Sequence, residues 1–239
     1  MIKIGILPTY SQNQDRPFLD TFSFVNNYAF RVYKNGGIPL GILFPNGKFS
    51  EKLLEIYDGF IIPGGSNINL YHILTIRYAI ENNKPLLGIC MGMQAIGIYS
   101  NIIDLLKDKE ITYENISKIY NPLDEDKYLK KIDGHNKETI FYNSSIYKSS
   151  HKVYLNENTL LKKIYNKDII LEPSIHNFVL KDIKGDFIAN ARSKEGYIEG
   201  VEHSSLFILG VEFHPEFENK NDILFKYFID ECIKNKNKK

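Results

Sequence analysis

The sequence predicts an α/β chain built on a doubly wound, mostly parallel sheet, with a small antiparallel meander toward its C-terminal end. Three observations carry this. Apolar runs of strand length alternate with helical-period segments from Ile2 to Ile98. Two of those runs end directly in glycine-rich turns, Pro63-Gly64-Gly65-Ser66 and Gly88-Ile89-Cys90-Met91-Gly92. From Phe187 to Phe213 the runs are separated by short turns instead of helices. Strict β/α alternation implies parallel strands with helical crossovers, whose ligands bind beyond the strand carboxyl ends, whereas turn-linked runs pair antiparallel.

The elements follow in order. Ile2 to Leu7 reads as a first strand, and Ser11 to Arg16 as a polar loop. Asp20 to Asn35 reads as a helix, because Val25, Tyr28, Ala29 and Val32 recur at helical spacing; Gly36-Gly37 ends it, with Pro39 just beyond. Ile38 to Phe44 is the next strand, a short helix runs from a Ser50 cap to Tyr57, and Gly59 to Ile62 is a third strand. A helix over Leu70 to Glu81 leads into the apolar run Leu86, Leu87, Ile89, after which Met91, Met93, Ala95, Ile96 and Ile98 continue as a helix. Ser100 to Asp168 is polar and without a clear period, and mixed charges such as Asp124, Glu125, Lys127 and Lys130 indicate a solvated surface. Phe187 to Arg192, Gly196 to Glu202 and Leu206 to Phe213 are the meander strands. Asn221 to Lys234 is a closing helix that places Phe225, Phe228, Ile229 and Cys232 on one face. No repeat or low-complexity block divides the chain, so residues 1 to 239 read as a single domain.

Composition bounds the function. With 43% hydrophobic and 25% charged residues and a formal net charge of +1, the chain lacks the basic footprint of a nucleic-acid binder. Its two cysteines, Cys90 and Cys232, are neither a disulfide framework nor part of a local zinc spacing. No signal-peptide pattern and no apolar stretch long enough for a membrane span is present, so a cytoplasmic protein is expected, with no membrane partner, metal or cofactor. Homo-oligomers are compatible with the sequence.

Chemistry concentrates around Cys90. G-x-C-x-G is the cysteine counterpart of a nucleophile elbow, where glycines allow a sharp strand-to-helix turn that exposes the central side chain. The N-terminus of the following helix favours an anion beside it. At the end of the last strand, His214 and Glu216 stand two residues apart and can project to one side, Pro215 marking where ladder pairing stops. Nucleophile, base and a group that orients the base make up the logic of covalent acyl transfer. A phosphate-cradling G-x-G-x-x-G or Walker pattern is missing, which argues against a nucleotide or flavin binder.

Pro63-Gly64-Gly65, G-I-C-M-G-M-Q at Gly88 to Gln94 and His214-Pro215-Glu216 resemble, in order and spacing, the signature of the class I glutamine amidotransferase superfamily, a flavodoxin-like fold. Asn27 to Leu40, Asp58 to Gly65 and Tyr197 to Glu202 look like its γ-glutamyl-γ-aminobutyrate hydrolase branch, the C26 type of cysteine peptidase. The resemblance implies a glutamyl thioester on Cys90, with His214 as acid and base and Glu216 orienting it. It also implies an oxyanion hole from the backbone of Gly64, Gly65 and Met91, a glutamyl contact from Gln94, and a pocket edge at Ser174, Ile175 and His176. Three features depart from that branch: Met91 stands where it carries arginine, only Arg77 remains of an R-D-x-x-E stretch, and Ser100 to Asp104 replaces a G-G-x-L-x-Q element. The expected substrate is therefore a small γ-glutamyl amide whose amine differs from γ-aminobutyrate. The alternatives are a glutaminase subunit feeding ammonia to a separate synthetase, and a catalytically silent binding module.

Overall fold

A computed structural model describes residues 1–11, 15, 19–106, 113–136 and 149–238. Its strands are β1 (Ile2–Ile6), β2 (Thr9–Ser11), β3 (Thr21–Ser23), β4 (Gly37–Gly41), β5 (Gly59–Ile62), β6 (Leu86–Ile89), β7 (Leu129–Lys131), β8 (Ser150–Leu155), β9 (Ile169–Pro173), β10 (Phe178–Leu180), β11 (Phe187–Ser193), β12 (Ile198–His203) and β13 (Ile208–Val211). The helices are α1 (Asn26–Lys34), α2 (Leu70–Glu81), α3 (Met91–Leu106), α4 (Tyr113–Ser117), α5 (Leu160–Tyr165) and α6 (Asp222–Lys236).

Among the described residues nine strands form one sheet in the order β4-β1-β5-β6-β13-β12-β11-β8-β9. The pairs from β4 through β13 are parallel, and those from β13 to β9 are antiparallel. Alternation along each parallel strand sorts side chains onto two faces. Phe60, Ile62, Leu86 and Ile208 pack on one side with α2 and α3, while Ile61, Leu87, Leu209 and Val211 pack on the other with α5 and α6. Both faces are thus covered, as parallel strands require.

The predicted Gly59–Ile62 strand and Leu70–Glu81 helix match the observed bounds. Asn69 and His72 close a reciprocal capping box at the start of α2, which sets its first turn. The helix expected from Asp20 begins only at Asn26, because Thr21–Ser23 pairs antiparallel with Thr9–Ser11 and the Tyr10 and Phe22 rings meet at 5.1 Å. Val25 consequently lies outside the buried stripe, which consists of Tyr28 and Val32. The short helix after Ser50 is a single 3-10 turn, Glu51–Leu53, and the Ser50 side chain makes no cap. Most of the predicted polar loop from Ser11 to Arg16 lies outside the described residues.

The meander is larger than expected. Its strand β13 joins the parallel half through β6, and β12 and β11 are extended by β8, from the stretch read as irregular, and by β9 just beyond it. Edge strand β9 explains the omission, since Ile169 and Leu171 face solvent while Glu172 is buried, the reverse of the usual pattern.

Glu172 makes a testable contribution to stability. Burial raises its carboxyl to about 7, against the opposing pull of Asn221, whose amide donates at 2.7 Å, and of Lys220. A folded-state value above the unfolded one means that the folded chain holds the extra proton, so this stability is full below the unfolded pKa and is lost as pH rises through about 7. Urea unfolding of wild type and Glu172→Gln should show the wild type losing about 3 kcal/mol relative to the variant between pH 4.5 and 8. An invariant difference would show that the carboxyl titrates normally.

Candidate functional site

The carboxyl ends of β5, β6 and β13, three neighbours in the sheet, hold the residues singled out in the sequence. Cys90 lies between β6 and α3 with φ of 52°, a left-handed conformation that costs a non-glycine residue on the order of 1–3 kcal/mol. Its neighbours make the turn feasible. A Cβ on Gly88 would lie 2.6 Å from the Gly92 carbonyl oxygen, and one on Gly92 would lie 2.2 Å from that of Ile62. Only bare backbone lets the elbow sit this close to itself and to β5. The Cys90 N–H donates to the Val211 carbonyl at 2.8 Å, tying the elbow to the strand that delivers His214.

His214 Nδ1 meets Glu216 Oε1 at 2.7 Å. Burial opposes a charge on this imidazole, yet the Glu216 carboxylate and the Cys90 sulfur outweigh it and hold His214 well above its usual range. The imidazole thus meets Glu216 on one side while sharing the cleft with Cys90 on the other. The segment carrying it is anchored by Arg31, whose Nε donates to the Glu216 carbonyl at 3.0 Å and whose Nη1 pairs with Asp222 at 2.9 Å. Phe217 stacks on the imidazole at 5.2 Å.

Cys90, Gly65, Met91, Gln94, Ile175 and His176 share, with His214, the wall of a cleft of about 460 Å³. Cys90 is 7% exposed, so the sulfur sits on the floor of this cleft instead of projecting into open solvent. Two expected site residues serve other ends. Gly64 donates its N–H to the Tyr28 hydroxyl at 3.0 Å and is therefore no free oxyanion donor; a Cβ there would lie 2.8 Å from His214 Cε1, so the position is kept small for the ring. Ser174 is fully buried and donates its hydroxyl to the His135 carbonyl at 2.6 Å, away from the cleft lining.

Two buried residues escaped the sequence reading. Burial, with Glu216 alongside, keeps the Tyr28 hydroxyl protonated, well above the usual phenol range, where it accepts the Gly64 N–H. Glu212 accepts from Gln94 Nε2 at 2.7 Å; burial, then the nearby Cys90 and Glu199, push its carboxyl well above the usual range. Gln94 Nε2 also donates to the Phe178 carbonyl at 3.2 Å, which fixes that side chain at the cleft wall. Tyr28 gave only a helical-stripe signal, and Glu212 sits in an apolar strand end where alternation does not reveal a function.

His176 belongs to a second group as well. Its ring, those of His135 and His151, and the Glu199 carboxylate each offer a ligand atom, and these lie within 4.8 Å of one another. Burial lowers His176 to about 4, whereas Glu199, despite its burial, is drawn down to about 2 by His135 and His151. The sequence carries no local metal spacing, and these four residues converge only in the fold.

The family profile of Peptidase C26 matches residues 69–216. The chain is 27% identical to a putative glutamine amidotransferase-like protein of Rickettsia prowazekii, over 94% of each chain. It is 29% identical to the CTP synthase of Flavobacterium psychrophilum, over 99% of this chain but 45% of that protein's length. The glutaminase domain of Trypanosoma brucei CTPS, solved with bound acivicin, superposes with a TM-score of 0.66 at 19% identity, covering 98% of this chain and 94% of that one. Among the described residues no helix is long and apolar enough to cross a membrane.

Proposed function

Because the chain belongs to the peptidase C26 family, within the class I glutamine amidotransferase-like superfamily, we propose that it hydrolyses the γ-glutamyl amide bond of a small γ-glutamyl compound through a thioester on Cys90. The supporting observation is the convergence of the strained Cys90, His214 and Glu216 at one cleft, with the His214–Glu216 contact at 2.7 Å.

In this reading the Cys90 sulfur attacks the γ-carbonyl carbon, and His214 delivers its proton to the nitrogen as the C–N bond breaks. The amine leaves. Water then enters, His214 takes its proton, the C–S bond breaks, and glutamate departs while the thiol is restored. Glu216 keeps the imidazole oriented and supports its charged form. The negative oxygen of each tetrahedral intermediate is held by the backbone N–H groups of Gly65 and Met91; one oxyanion donor is worth about 2.7–4 kcal/mol where it has been removed from a serine protease. Gly64 acts through geometry: its N–H is fixed on Tyr28, which presents the next peptide to the cleft. Gln94, whose nitrogen is committed to Glu212 and Phe178, keeps its acceptor oxygen for a ligand N–H. A neutral Glu212 beneath it spares the site a second negative charge.

A cleft of about 460 Å³ leaves room beyond a glutamine-sized ligand and supports a larger γ-glutamyl amide. The likeness to CTP synthase across 99% of this chain favours a second reading, a glutaminase that supplies ammonia to a separate synthetase. Amine release from a panel of γ-glutamyl amides, glutamine included, separates the two. Turnover of amides larger than glutamine without any partner is expected. Activity confined to glutamine and raised by a partner protein would establish the second reading instead.

A further inference from the structure

We propose that His135, His151, His176 and Glu199 form a closed binding site for a first-row divalent transition metal of the zinc class, beside the Cys90 cleft. His135 follows β7, His151 is on β8, His176 lies between β9 and β10, and Glu199 is on β12, so the site joins four separate segments.

Spacing is the first support. A tetrahedral site with metal–nitrogen and metal–oxygen bonds of about 2.0–2.1 Å has ligand–ligand edges of about 3.3–3.4 Å. Here His135 Nδ1 is 3.3 Å from His176 Nε2 and 3.5 Å from Glu199 Oε1; His176 Nε2 is 3.7 Å from Glu199 Oε1, and His151 Nε2 is 3.5 Å from Glu199 Oε2. With Glu199 Oε1 as the ligand the three edges to His151 remain; one ligand atom from each of the four residues lies within 4.8 Å of the others, and a modest contraction of His151 toward the centre completes the tetrahedron.

The outward-facing nitrogens give the second support. His176 Nδ1 lies 3.1 Å from the Phe178 carbonyl oxygen, which can only accept, so Nδ1 carries the hydrogen and the neutral ring turns its Nε2 lone pair inward. His135 Nε2 faces the Glu195 carboxylate at 3.6 Å, which favours the hydrogen there and leaves an Nδ1 lone pair pointing at the same centre. The two nitrogens stand 3.3 Å apart, a separation that one hydrogen bridges in the other His135 tautomer and that a metal ion bridges when both lone pairs turn inward. An acceptor behind each ligating imidazole is also how metal sites fix ring orientation.

The third support is a buried carboxylate that its facing imidazoles, at 3.5 Å, do not hydrogen-bond. Glu199 is fully buried, and neither carboxylate oxygen has a partner in hydrogen-bond geometry among the described residues. His151 Nε2 is likewise buried without such a partner. A buried carboxylate in this condition costs several kcal/mol unless a cation neutralises it. Three imidazoles and one carboxylate select zinc, cobalt, nickel or iron over magnesium and calcium, which favour all-oxygen shells. Four protein ligands leave no open position, so the metal is structural. It would hold the His176 ring and the Phe178 carbonyl, and through that carbonyl Gln94, against the cleft.

The test uses the full chain carrying Cys90→Ala, so that metal captured by the cleft thiol is removed from the measurement and the outcome is independent of the catalytic reading. After chelator treatment, zinc chloride and cobalt chloride are titrated separately, with elemental analysis after gel filtration. The expected result is one zinc per chain, intense visible absorption of tetrahedral cobalt displaced by zinc, and a raised melting temperature in both cases. In that background His151→Ala and Glu199→Gln, checked for folding by circular dichroism, should each weaken zinc binding at least about 100-fold. Less than a tenth of an equivalent bound by the folded parent, binding undiminished in both variants, or preference for magnesium or calcium would each overturn the proposal.

Discussion

Replacing Cys90 with alanine is expected to lower kcat for γ-glutamyl amide hydrolysis by at least about 10⁴-fold, because loss of the nucleophile removes the covalent route and leaves only binding and oxyanion contacts. The fold should survive. Residue 90 has a φ of 52°, and alanine meets the same backbone cost as cysteine there, while the Gly88 and Gly92 contacts that shape the elbow are untouched. Steady-state amine release, with circular dichroism as a folding control, checks this. Full activity in the variant would dispose of the thioester route. A silent binding module would show no hydrolysis in the wild type either, so the wild-type rate separates that alternative.

Exchange of Glu216 for glutamine should cost about 10²–10⁴-fold in kcat with little change in KM, since an uncharged amide can present the wrong group to His214 and no longer stabilises the charged ring. The pH profile makes the result specific. Burial disfavours the charged imidazole, and it is Glu216, with the Cys90 sulfur, that holds it above its ordinary range. The protonated form is present below the folded pKa and disappears as pH rises through it. Without the carboxylate that loss moves to lower pH, and the alkaline limb of kcat/KM should follow. A rate reduced with an unmoved profile would point to mere misplacement of the Pro215–Phe217 turn.

The parts of the site that the sequence made legible are those built from short local patterns. Cys90 is visible because two glycines flank it, and His214 and Glu216 because they end an apolar strand two residues apart. Alternation of strands and helices predicts that β5 and β6 bring the glycine loop and Cys90 to one crevice, whereas the pairing of β13 with β6 that adds His214 is seen only in the fold. The Leu70–Glu81 helix was legible from a long apolar pattern with a polar stop, whereas the Thr21–Ser23 strand was obscured because a three-residue strand gives no period to detect. The polar side of the cleft was hidden for a different reason. His135, His151, His176 and Glu199 are spread over 65 residues of chain; His151 and Glu199 stand on strands whose alternation these inward polar groups break, and His135 and His176 lie in the connections. Gly64 and Ser174 show the converse: a matching motif position does not say which way an N–H or hydroxyl points, and here the Tyr28 hydroxyl and the His135 carbonyl take them.

The most direct measurement is the mass of the intact wild-type chain, acid-quenched during turnover of a γ-glutamyl amide, with peptide mapping of the product. The expected result is a glutamyl group, glutamate less one water, on the peptide that contains Cys90, and its conversion to γ-glutamyl hydroxamate when hydroxylamine is present. Undiminished glutamate release from chain whose Cys90 has been fully alkylated, with no hydroxamate formed, would contradict it.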